Sequence, residues 1–113
     1  MSEIETITQI YKSTRRLTRW YLFKIPDDQI NYRPQFGDLK LNSAYWEMSH
    51  LIWAELQILI NGTGGTAPEI TWVNQYGFGS NPDKAEATLS PLELRTLFDE
   101  IHIKSLEHIQ SIP

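Results

Sequence analysis

The chain contains no cysteine. That excludes disulfides, thiolate metal sites and a cysteine nucleophile. It also lacks a long apolar run. The richest stretch, Leu51 to Ile60, carries Glu55 and Gln57 and falls short of the ~20 residues a bilayer-spanning helix needs. The N-terminal MSEIETITQIYKSTRR has no apolar core of the signal-peptide kind, so a cytoplasmic location and no membrane partner are expected. Positive charge is in deficit, with 10 Lys and Arg against 14 Asp and Glu and a net charge of -4. That balance argues against general nucleic-acid binding. Histidine occurs three times, as His50, His102 and His108, and no serine–histidine–aspartate arrangement stands out.

What is present suits one globular domain over residues 1–113. The hydrophobic fraction of 41% and four Trp, five Tyr and four Phe argue against disorder over most of the chain. Apolar residues at helical spacing (Ile4, Ile7, Ile10, Tyr11, Leu17, then Trp20 or Tyr21) predict a helix over about 2–23. Lys12, Arg15, Arg16 and Arg19 on its middle turns read as a solvated basic face. Pro26 stops the helix, because the residue before a proline avoids the helical region. Pro26 to Leu41 is a connection of about 16 residues, longer than the usual helix–helix link, in which Asp27 and Asp28 suit the start of a short turn.

Residues 42–61, NSAYWEMSHLIWAELQILIN, predict the second helix, with Ser43 or Asn42 as its cap and Gly62 as its left-handed end. Apolar side chains go most of the way round it, as in a helix buried on several sides. His50 sits inside that apolar run. It reads either as a core imidazole bonded to a carbonyl or as a metal ligand held in one tautomer by a neighbour. Glu47, three residues earlier, suits an orienting partner and equally a surface ion pair.

NGTGGTAP is a turn-rich break, Thr71 to Tyr76 suits a short helical turn, and GFGSNP is a loop without dinucleotide-binding spacing. Ser90-Pro91-Leu92-Glu93 is a capping box with proline at the first helical position, and it predicts a third helix to about Gln110. His102 and His108 lie roughly 240° apart round that helix, so they cannot clamp one metal together and are expected at the surface. Three helices and no strand are predicted. The nearly all-apolar second helix then needs more cover than two neighbours provide.

NSAYWEMSHLIWAE resembles the second-helix signature of the DinB/YfiT-like superfamily. IPDDQINYRP resembles the link before that helix, and YGFGSNP and SPLELRTLFDEIH resemble the family's loop and third helix, so the likeness spans about Ile25 to Ile112. The resemblance implies an all-α, up-down four-helix bundle that holds a divalent metal, zinc or nickel, with three histidines. His50 would be the ligand from the second helix, with Trp46, Trp53 and Tyr45 walling the pocket. It implies a metal-dependent hydrolase or thiol transferase acting on a small molecule, and commonly a homodimer. The chain departs from the pattern after the third helix: the fourth helix and its HxxxH pair are missing from this sequence. Three of four helices and one of three ligands are therefore expected here. The expectation is a portion of a longer enzyme; the alternative is a short, metal-free helical module that pairs through its uncovered apolar side.

Overall fold

The structure, a computed structural model, describes residues 1–113. Helix α1 runs Glu3–Leu22. Its start is a reciprocal capping box: the Ser2 hydroxyl accepts from Glu5 N–H at 3.1 Å, and the Glu5 carboxylate accepts from Ser2 N–H at 3.3 Å. The chain leaves the helix through Phe23 and enters Pro26 extended. Asp27–Gln29 forms a 3₁₀ turn.

A two-residue hairpin follows where no strand is expected. Strands β1 (Gln35–Phe36) and β2 (Leu39–Lys40) run antiparallel, pairing Gln35 with Lys40 and Phe36 with Leu39. Gly37 takes φ +59 in the turn, a conformation that costs a side-chain-bearing residue dearly. Both strands are exposed, and two residues are too few to display the alternation by which strands are read.

Helix α2 spans Ala44–Ala54, capped by the Ser43 hydroxyl, which accepts from Trp46 N–H at 3.0 Å. It does not stop at Gly62. Its path widens into π turns over Glu55–Ile60, passes through a 3₁₀ turn at Asn61–Thr63, and ends at Gly64, φ +90. Gly62 is not left-handed; the final change of winding carries the break two residues further. A 3₁₀ turn at Thr71–Tyr76 and another at Pro82–Lys84 lead to helix α3, Pro91–Ser111. The Ser90–Glu93 capping box forms as its residues foretell, with bonds of 3.1 and 3.2 Å.

The buried core is Ile30, Tyr45, Met48, Ile52, Leu56, Val73, Tyr76, Leu94, Phe98 and Ile101. It lies between α2, α3 and the 71–76 turn. No residue of α1 belongs to it; Leu22 and the following Phe23 only pack on its edge. The apolar side of α1 therefore does not point inward as its periodicity suggests. Ile7, Ile10, Leu17, Trp20 and Tyr21 are each more than half exposed, while Thr8 and Arg15 are buried. The side of α1 that faces α2 carries Arg15 instead, which pairs with the buried Glu55. The fold is thus mainly helical with one small hairpin, and no helix is long and apolar enough to cross a membrane.

Candidate functional site

His50 lies on the flank of α2, and aromatic rings surround it. Trp46, one turn earlier, stacks on it with centroids 4.7 Å apart and planes 14° from parallel. Trp53 stacks on the other side at 5.7 Å and 20°. Positions three and four apart share one helix face, so Trp46, His50 and Trp53 are aligned by α2 itself. Phe78, from the loop after the 71–76 turn, stands over both His50 and Trp53, with centroids 5.4 and 5.0 Å away. That loop packs on the His50 side of α2.

The tautomer follows from one contact. His50 Nδ1 is 2.6 Å from the Tyr76 carbonyl oxygen. A carbonyl can only accept, so Nδ1 carries the hydrogen and donates it. In the neutral ring the lone pair is then on Nε2. That nitrogen has no hydrogen-bond partner and is not among the buried unpartnered atoms, so it reaches solvent. A fixed ring with an open Nε2 is the arrangement of an imidazole prepared to accept a proton or a metal ion.

Gly77 sets the geometry of the cover. A Cβ there would fall 2.7 Å from Trp53 Cε2, so only glycine lets the backbone carrying the Tyr76 carbonyl approach this closely. Gly79, at φ +80, turns the chain after Phe78.

The other residues named from the sequence are placed differently. Glu47 is exposed and makes no bond to His50; a backbone carbonyl does the orienting instead. Tyr45 is in the core rather than the His50 pocket, its hydroxyl bridging the backbone of Leu89 by accepting from N–H at 3.0 Å and facing the carbonyl at 3.2 Å. Trp46 and Trp53 do flank His50. Trp46 also lines a cavity of about 110 Å³ with Arg33, Asn42 and Tyr76, and its Nε1 is buried without a partner. A cavity of that size holds a few waters at ~30 Å³ each.

The three histidines do not converge. His108 Nε2 meets the Thr63 hydroxyl at 2.6 Å. His102, expected at the surface, is mostly covered: its Nδ1 is 3.4 Å from Glu55 Oε2 and its ring is 4.9 Å from that of Tyr11. No group of three or more His, Asp or Glu side chains comes together in a metal-binding cluster. A catalytic zinc centre needs about three protein ligands. The residues present thus fit one imidazole ligand, His50, and not a complete centre.

A second polar cluster was not foreseen. Arg15 and Glu55, 6% and 4% exposed, form an ion pair between α1 and the π-wound end of α2. The Tyr11 hydroxyl donates to the same carboxylate, and the Arg15 guanidinium lies 4.2 Å over the Phe98 ring. Burial pushes the Glu55 carboxyl up, but the His102 hydrogen bond, the Arg15 charge and the Tyr11 hydroxyl outweigh it and hold it below its usual range. Burial, then the Glu55 charge, push the Tyr11 phenol well up. Arg15 is thus no part of a solvated face, and Arg19 pairs with Asp99 at 2.8 Å. The sequence did hold a signal for this cluster: Glu55 is an acid inside an otherwise apolar run, and a buried acid requires a partner.

Comparison of the chain with family models, curated proteins and solved structures gives no match.

Proposed function

We propose that this chain is a DinB/YfiT-like helical domain whose His50 supplies one imidazole to a divalent metal, zinc or nickel, in an enzyme of the hydrolase or thiol-transferase kind acting on a small molecule. The observation that carries the reading is the 2.6 Å bond from His50 Nδ1 to the Tyr76 carbonyl. It holds the ring in the tautomer that leaves Nε2 free, between two indoles that keep it from turning. Further ligands would come from outside residues 1–113. The family likeness rests on the motifs around His50 and on the mainly helical fold, and fold likeness does not choose a reaction. The chain's own part is to orient one imidazole and to wall it with Trp46, Trp53 and Phe78.

The test is a titration with Zn²⁺ and with Ni²⁺, following the imidazole nitrogens by NMR. His50 Nε2 responds at the lowest metal concentration, with Nδ1 still protonated, and His50→Ala removes that response while helix content is kept. If His102 or His108 responds instead and His50 is silent, the ligand assignment fails. A second reading, a metal-free helical interaction module, is favoured by one observation, the exposed apolar stripe of α1. It predicts association unaffected by chelators.

A further inference from the structure

A cavity of about 110 Å³ lies beside the first turn of α2. It is walled by the link before α2, by the start of α2, by Tyr76 and by the chain from Pro82 to Ala87. A further helix, ~10 Å across, cannot enter a space that small. The volume suits about four waters at ~30 Å³ each, or one molecule of about four heavy atoms.

The polar side chains around it are mostly donors. Trp46 lines it, and the indole Nε1, which can only donate, is buried with no partner. Such a group costs free energy until an acceptor meets it. Arg33 lines it too. Its Nε donates to the Leu41 carbonyl at 2.9 Å and its Nη1 to Asp83, which leaves Nη2 over. Asn31 and Asn42 add two amide donors. No aspartate or glutamate is in the wall; Asp83 holds Arg33 from outside it, with 70% of its side chain exposed. Backbone N–H groups at the helix start are already taken, that of Tyr45 by the Ile30 carbonyl at 2.9 Å and that of Trp46 by the Ser43 hydroxyl at 3.0 Å. The donors on offer are therefore side chains, and the start of α2 adds only its partial positive charge. Tyr45, Pro82, Ala85 and Ala87 supply the apolar part of the wall.

We infer that this cavity binds a small monocarboxylate of acetate size. Its carboxylate takes the hydrogens of Trp46 Nε1 and Arg33 Nη2, a charge-assisted pairing that suits a planar guanidinium. Its methyl group lies against the apolar part of the wall. Phosphate and sulfate are bulkier than the space allows. Asp83 competes with the ligand for the same guanidinium, so binding is modest in the native chain. Trp46 also stacks on His50, but the site depends neither on a metal nor on His50 as a ligand.

NMR on the full chain tests it, with sodium acetate as the probe and sodium chloride holding the ionic strength constant. Trp46→Phe identifies the Trp46 signal among the four indole N–H signals. That signal moves saturably with acetate. Acetamide, of the same shape without the charge, leaves it in place. Butyrate, too long for the cavity, binds several-fold more weakly. Arg33→Gln weakens acetate binding about tenfold or more. Asp83→Asn, at an exposed position, strengthens it several-fold by freeing the guanidinium, a gain that a purely structural role for Arg33 does not give. A Trp46 signal indifferent to acetate means that the cavity holds water only, and overturns the proposal. So does an equal response to acetamide, butyrate bound as well as acetate, or an Asp83→Asn variant no tighter than the native chain.

Discussion

Gly77 has an ordinary φ of -76, yet a methyl group there would press on the Trp53 indole. Its role is room, not backbone freedom. Gly77→Ala is expected to cost about 1–3 kcal/mol, as overpacking does, and to lengthen the His50–Tyr76 bond. Chemical denaturation and the His50 Nδ1–H resonance measure the two effects. His50 itself was conspicuous in the sequence as a lone imidazole on an apolar helix. Its partner was not, because a backbone carbonyl leaves no trace in residue type. Glu47 was the nearest acid in sequence, but the donor at Nδ1 is met by a chain segment 26 residues away.

Helix α1 is attached differently from α2 and α3. Its buried contacts are chiefly the Arg15–Glu55 pair with Tyr11, plus Leu22 and Phe23 at the core edge. Removing one member of a buried pair strands the other charge. Glu55→Ala is therefore expected to cost about 3–5 kcal/mol and to undock α1 before the core melts. Amide hydrogen exchange checks this: amides of α1 lose protection in the variant while those of α3 keep theirs. In the native chain too, α1 is expected to exchange sooner than the helices that build the core, which the same measurement checks. Periodicity correctly marked α1 as a helix, but the residues it picked out divide between two sides: Ile7, Ile10, Leu17, Trp20 and Tyr21 face water while Tyr11 joins the Glu55 cluster. It could not tell which way each side faces, because that depends on a carboxylate forty residues away.

The pH response of the folded chain follows from Glu55. Its carboxyl titrates below the usual range in the folded state. The stability it contributes is therefore present at pH values above the unfolded carboxylate's, and is lost as pH falls through the lower folded value. The denaturation midpoint is expected to be level from neutrality to about pH 5 and to fall below about pH 4. Glu55→Gln shows a shallower fall, which urea titrations across that range measure. The ion pairs at Arg19–Asp99 and Arg33–Asp83 have partners well exposed to water and add little of their own.

Local chemistry settled much from residue order alone. The caps at Ser43 and Ser90, the stop at Pro26, the turn at Thr71–Tyr76 and the helical character of the long segments all depend on neighbours within a few positions. Hydrogen bonds that close within one turn need nothing from afar. Three features belong to the folded arrangement instead: the inward turn of Arg15, the carbonyl that orients His50, and the solvent-facing apolar side of α1. Each arises where distant segments compete for the same interior. Burying Glu55 requires a partner for its charge, and Arg15 reaches it from a segment forty residues away.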